Sequence, residues 1–274
     1  SERVEDNKKV YRRKKIFTLM FSIMHSIVGV DKNTAFTYGA MGKENQAINE
    51  ALELNTKLYE KHYEKWAFTN NTKINKFFGS KKSFEKYIDI SEDREKLKKF
   101  YQKIREQKDK YTFFHVNTED EFLNIIDRVL SYSKTSRVYM VPDENGNMDA
   151  ACFAINWGEY FALQLENPQG LFKALAKMAF TDNILYPIMI VGTPKNVEIL
   201  LKGIASHYNK QHKCKITNLN SFSGDPYFNI KKSVLNDEYL FLIICNDEHK
   251  LNAMKERSKG EDGNVKLFID VPLL

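Results

Sequence analysis

Four consecutive cations, Arg12, Arg13, Lys14 and Lys15, stand directly before an apolar stretch, residues 16–28, that reads as a helix. Positive side chains oppose the positive end of a helix dipole and are mildly destabilising there unless an anion joins them. The run therefore reads three ways: as a solvated helix start, as a phosphate contact, or as part of a nucleic-acid contact with the basic residues around 96–110. No nucleic-acid-binding motif accompanies the last reading, which is disfavoured. A second helix start lies at Gly192-Thr193-Pro194-Lys195-Asn196, with Thr at the cap and Pro at the first helical position. Six histidines show no metal-ligand spacing, and His207 and His212, five apart, do not share a helix face. The serines lack a nucleophile-elbow context, and neither a Walker loop nor a dinucleotide fingerprint occurs. No metal is expected.

The elements that must position these residues alternate. From residue 111 the order reads strand, helix, hairpin, helix, strand, helix, strand, helix, strand. Thr118-Glu119-Asp120-Glu121 forms a capping box, and Phe122, Ile125, Ile126, Val129 and Leu130 follow on one helical face. Asn145-Gly146 between two strand-like runs predicts a hairpin, because both residues tolerate positive φ. Residues 171–180 read as a helix, 186–191 as a strand, 194–208 as a helix and 215–219 as a strand, then come a polar turn with a helix to 236, a strand at 239–245 and a terminal strand at 266–271. The earlier part carries an echo: the apolar helix, a strand at 35–38, a helix at 43–54 and a strand-like 57–59. Such alternation implies βαβ units around a largely parallel sheet. Residues 69–110, rich in Lys and Glu with Leu97, Phe100, Tyr101 and Ile104 at helical spacing, read as a helical connector. The domain scheme is 1–68, 69–110 and 111–274.

Composition sets bounds. The 274 residues are 42% hydrophobic and 28% charged, with a net charge of +6, enough to bury a core and mildly favourable to an anionic ligand. Cys152, Cys214 and Cys245 are odd in number and widely spaced, which fits reduced core residues of a cytoplasmic protein. The apolar stretch 16–28 is too short to span a bilayer and is interrupted by Thr18, Ser22, His25 and Ser26, so it reads as a buried helix and not as a signal-peptide core. No membrane partner is expected.

The element order resembles the GNAT superfamily of acyl-CoA N-acyltransferases. In that superfamily a central strand ends in a phosphate-cradling loop of the pattern Gln/Arg-x-x-Gly-x-Gly/Ala, and the next strand leads to an Asn and, seven residues on, a Tyr. Here the loop position reads Gly192-Thr193-Pro194-Lys195-Asn196-Val197, and Asn220 precedes Tyr227 by seven. The run Tyr11 to Ile16 sits where a first copy of the loop would stand, with Arg13 and Lys15 in place of its glycines. Leu52, seven after Asn45, replaces the tyrosine there. The resemblance covers most of 111–274 and, more loosely, 9–68.

The resemblance implies an α/β fold: a GNAT-like twisted mixed sheet flanked by helices, with a partial second GNAT-like unit at the N-terminus. That first copy lacks strands, so it is expected to dock on the second copy, on another subunit, or on an upstream domain. The implied function is N-acyl transfer from acetyl-CoA, or another acyl-CoA, to a primary amine. Arg12, Arg13, Lys14, Gly192, Thr193, Lys195, Asn196 and Asn220 would then hold the co-substrate, and Tyr227 would protonate the departing thiolate. Glu159 and Glu166 are the acidic residues in range, with nothing in their spacing to make either a base. The alternative is a non-catalytic GNAT-like interaction or assembly module, which the missing loop glycines favour. Tyr227 suits a packed or turn position as well as it suits an acid.

Overall fold

The structure is a computed structural model that describes residues 36–42, 49, 62–80, 86–106, 118–160, 184–222, 225, 227–231, 235–245 and 247–259. The expected helices at 16–28, 43–54 and 171–180, the strands at 57–59 and 266–271, and Arg12, Arg13, Lys14 and Glu166 lie outside the described residues, apart from Asn49. The described residues form two compact units, one drawn from 1–68 and 238–259, the other from 69–237.

In the larger unit the strands, in spatial order, are the second half of β2 (His62–Ile74), β7 (Ile216–Ser221), β6 (Ile184–Gly192), β5 (Met148–Asn156), β4 (Arg137–Pro142) and β3 (Ile88–Asp89). Neighbours run antiparallel except β6 and β7, which are parallel and joined by helix α4 (Pro194–Gln211). The expected βαβ unit therefore exists at 184–221. The expectation of a largely parallel sheet is corrected to a mixed sheet in which antiparallel pairings predominate, because β4 and β5 return through a tight hairpin.

Each face of this sheet is covered by helices whose apolar positions recur at the helical period. Helix α2 (Arg94–Arg105) buries Leu97, Phe100, Tyr101 and Ile104, and α3 (Glu119–Tyr132) buries Phe122 and Ile126. They close over Phe153, Ile155, Ile188 and Val191, with Phe100 and Phe122 edge to face at 5.4 Å. On the other side α4 sets Val197, Leu200, Leu201, Ile204 and Tyr208 against Tyr139, Cys152, Leu185 and Ile190. Truncating one of these buried aromatics to Ala costs about 3–5 kcal/mol, so the two layers hold the strands rigidly. Cys152, Cys214 and Cys245 are buried thiols that form no disulfide.

The local signals explain where elements start. Both halves of the capping box form: the Glu121 amide donates to the Thr118 hydroxyl at 3.1 Å, and the Thr118 amide to the Glu121 carboxylate at 3.1 Å. Helix α2 is capped by Asp93, whose carboxylate accepts from the Lys96 amide at 3.0 Å. The hairpin forms at its predicted place. Of the Asn-Gly pair only Gly146 has positive φ, +80°. Asp143 organises the loop, its carboxylate accepting from the amides of Asn145 and Asn147.

Two other expectations change. Residues 69–110 do contain a helix, yet they also supply the end of β2, the short helix α1 (Asn75–Phe78) and β3. The helix after the polar turn is only α5 (Phe228–Lys231), and Leu235 and Asn236 already belong to strand β8 (Leu235–Cys245). Strand pairing in the folded chain overrides the polar composition there.

In the smaller unit β8 lies between β1 (Phe36–Gly42) and β2, with Phe36 opposite Cys245 and Gly42 opposite Tyr239. Trp66 and Phe68 are buried, and Phe68 stacks on Tyr239 at 5.5 Å. Helix α6 (Glu248–Ser258) starts on Asp247 and is tied to β2 by Lys255 and Glu64 at 2.7 Å. No helix among the described residues is long and apolar enough to cross a membrane.

Candidate functional site

Strands β6 and β7 begin as a pair and then part. Their register spans only Ile184 with Ile216 and Leu185 with Thr217, although β6 continues to Gly192 and β7 to Ser221. The cause lies in the outer neighbours. β7 is held to β2 over six residue pairs, from Thr69–Ser221 to Ile74–Ile216. Asn71, buried in β2, reinforces this by donating to the Leu219 carbonyl at 3.2 Å and the Ser221 hydroxyl at 2.8 Å. Asn75 adds bonds to the Cys214 carbonyl at 2.9 Å and from the Thr217 hydroxyl at 2.6 Å. β7 thus follows β2, while β6 follows β5.

At the point of parting, side chains replace the backbone ladder. Asn218 donates to the Tyr186 hydroxyl at 2.8 Å and accepts from the Thr72 hydroxyl at 2.9 Å. Trp157 packs against Tyr186 at 5.5 Å. These bonds prop the cleft at a fixed width, since breaking one would leave half-buried polar groups unpaired.

β6 is also bent. Ala151 pairs with Val191 but Phe153 with Ile188, so Met189 and Ile190 together oppose Cys152 in a β-bulge. Met189 has φ +51°, a conformation that costs a non-glycine residue of order 1–3 kcal/mol and is held by the surrounding core. Three residues on, Gly192 has φ +127°, and a Cβ there would lie 2.6 Å from the Asp149 carbonyl oxygen and from the Ala150 Cβ. Only glycine fits this exit from β6.

Of the residues singled out in the sequence, the structure brings five to the exit of β6. Gly192 leads into α4, with Thr193 at the cap and Pro194 at the first position, as expected. The Thr193 hydroxyl, however, makes no capping bond. Lys195 is exposed. Asn196 donates its side-chain amide to the Asp149 carboxylate. Tyr227, buried to 5% exposure, donates its hydroxyl to the Gly192 carbonyl at 2.6 Å. Its placement follows from a local turn, in which the Tyr227 amide donates to the Asp225 carboxylate at 2.8 Å. Asn220 lies on β7, paired in register with Asn70 of β2. Glu159 is tied to the turn before β4, accepting from the Ser133 hydroxyl and the Thr135 amide.

The sequence reading missed Asn71, Asn75, Asp149 and Asn218. Asn71 and Asn75 fall within 69–110, which reads from sequence as a helical connector, and the run of Asn, Thr and Lys there carries no strand signal. The two histidines also need correction. Helix α4 ends at Gln211, and the chain then folds back so that the rings of His207 and His212 lie 5.5 Å apart. They sit among Tyr87, Tyr139 and Tyr208, and burial holds both imidazoles below their ordinary value. Burial likewise lowers Lys73, which rests 4.8 Å from the Phe78 ring, and pushes the Cys214 thiol up to about 12. Among the described residues no three His, Cys, Asp or Glu side chains gather as a metal site.

No protein-family model matches the chain, and no curated protein matches it. Solved structures do. One is a GCN5-related N-acetyltransferase from Kribbella flavida, at 9% identity and TM-score 0.44, covering 80% of this chain and 46% of that one. Another is a functionally unknown conserved protein from Staphylococcus epidermidis, at 8% identity and TM-score 0.48, covering 84% and 79%. A third is the Saccharomyces cerevisiae N-myristoyltransferase with bound myristoyl-CoA, at 8% identity and TM-score 0.43, covering 79% and 65%. The chain spans less than half the length of the Kribbella protein. All three TM-scores lie below 0.5, so these likenesses carry no conclusion about the chain; its own described residues form a mixed sheet flanked by helices.

Proposed function

We propose that this chain is an acyltransferase that moves an acyl group from an acyl-CoA thioester to a primary amine, using the cleft between β6 and β7. The observation that carries the reading is the parting of those strands after two paired residues, beside a bulge and under the Tyr227 hydroxyl. A thioester arm of extended shape suits a gap between two strands. In the reaction the free amine attacks the thioester carbonyl, the C–N bond forms, and the C–S bond breaks. The amine's surplus proton leaves to solvent. Tyr227 is the proposed acid: its hydroxyl turns from the Gly192 carbonyl to the thiolate and gives up its proton. Lys195, Thr193 and Asn220 are proposed to contact the co-substrate, as are Arg12, Arg13 and Lys14. The three buried thiols support a reducing, cytoplasmic setting.

A specific observation favours the second reading, a non-catalytic GNAT-like module. The first turn of α4, where the fold would receive a diphosphate, has the Asp149 carboxylate beside it and a proline in place of one amide. Calorimetric titration with acetyl-, butyryl- and longer acyl-CoA, followed by a thiol-release assay over a panel of amines, separates the two. Binding with amine-dependent release supports the enzyme, and no binding at about millimolar acyl-CoA, a Kd worth only about −4 kcal/mol, leaves the module.

A further inference from the structure

Asp149 occupies an unusual place. It lies near the start of β5, and its backbone carbonyl is one of the atoms that forbid a side chain at Gly192. Its carboxylate accepts from the side chain of Asn196, the third residue of α4. The N-terminal end of an 18-residue helix carries a partial positive charge and amide donors that ordinarily favour an anion. Here an anion belonging to the chain itself is already fixed beside it. Pro194 removes one further donor, and the Val197 amide is taken by the Thr193 carbonyl at 2.9 Å. Lys195 is the one cation in this turn.

We infer that Asp149 is a specificity residue: its carboxylate fills the anion position at the start of α4, so the cleft recognises the pantetheine arm of an acyl thioester and seats no diphosphate on the helix. This rests on the acyl-transfer reading for the identity of the donor, but the electrostatic part stands by itself. Two like charges about 4 Å apart repel measurably even near a solvated surface. A diphosphate on this helix would have to approach Asp149 or displace it from Asn196. A pantetheine arm, neutral along its length, meets no such penalty between β6 and β7.

The test has a binding arm and a turnover arm. In the binding arm, inorganic pyrophosphate is titrated by calorimetry into the wild-type chain and into Asp149→Asn, which keeps a hydrogen-bonding partner for Asn196 but removes the charge. The inference expects a gain of about tenfold or more in pyrophosphate affinity for Asp149→Asn, equal to about 1.4 kcal/mol, and none for the charge-preserving Asp149→Glu. Should Asp149→Asn fail to fold, Asp149→Ser serves in its place. In the turnover arm, acetyl-pantetheine and acetyl-CoA are compared, and wild-type kcat/KM should agree within about threefold, with acetyl-CoA pulling ahead in Asp149→Asn. Unchanged pyrophosphate affinity in the folded charge-neutral variant overturns the inference, and so does a wild-type preference for acetyl-CoA of about 100-fold. If neither thioester turns over, the acyl-transfer reading falls, while the pyrophosphate result still decides the role of Asp149.

Discussion

The Tyr227 hydroxyl donates to the carbonyl of Gly192 at 2.6 Å, joining the turn after β7 to the last residue of β6. The two strands that separate within two residues of pairing are thus reconnected at their far ends by one side chain. A phenol so placed sits at the rim of the cleft, and its buried ring fixes where the hydroxyl points. Tyr227→Phe keeps the ring and removes the hydroxyl that makes this bond. The expected loss is about 1 kcal/mol of stability, from denaturant midpoints. Turnover should fall by about 10²-fold or more if the hydroxyl is the acid, whereas wild-type turnover in the Phe variant removes it from the mechanism.

Two threonine caps should respond differently to Ala. Thr118 makes its capping bond within a complete capping box, so Thr118→Ala should cost about 1 kcal/mol. Thr193 also precedes a helix, and its sequence context predicts the same, yet its hydroxyl makes no capping bond. Thr193→Ala should therefore fall within about 0.5 kcal/mol of the wild type. Equal losses at both positions would mean that the α4 cap is misassigned.

Gly192→Ala should be costly. The new Cβ would meet the Asp149 carbonyl and the Ala150 side chain at 2.6 Å, at a φ of +127° that L residues rarely adopt. Relief requires moving β5 relative to β6, so a loss of about 2 kcal/mol or more is expected, with a lower thermal midpoint. A melting curve that overlays the wild type would contradict the geometry at the exit of β6.

The stability of the larger unit should fall as pH drops below neutrality. His207 and His212 are held below the ordinary value of 6.5, chiefly by burial, with Asp89 and Glu159 pulling the other way and Arg137 and the neighbouring imidazole adding to the shift. A histidine with a depressed folded value binds fewer protons than in the unfolded chain, so stability declines as pH falls through 6.5 and levels off below the folded value. The double variant His207→Gln/His212→Gln should flatten the urea midpoint between pH 7.5 and 5.5. An unchanged slope would assign it to carboxylates elsewhere.

The capping box, the hairpin, the βαβ unit at 184–221 and the α2 and α3 core faces were legible because each is set by neighbours in sequence: a cap and its partner three residues on, or apolar groups at the helical period. The cleft was not. Its cause is a competition between β2 and β6 for β7, decided by Asn71 and Asn75 reaching residues more than a hundred positions away. Nothing in a run of Asn, Thr and Lys announces a strand with long-range partners. Gly192 and Tyr227 were found through a resemblance of motif, but their mutual bond and the Asp149 carboxylate beside Asn196 depend on register, which the pattern does not contain. The His207 and His212 pair shows the same limit, since spacing on an ideal helix fails where the helix stops between them.

The account is tested most directly by following acetyl-CoA and a primary amine together, counting free thiol released against N-acetylated amine formed by mass spectrometry. The account predicts one thiol for each acylated amine, at a rate that depends on the amine and falls by about 10²-fold in Tyr227→Phe. Thiol release no faster than without protein, over acyl chains from two carbons to fourteen and with no acylated amine detected, would contradict it.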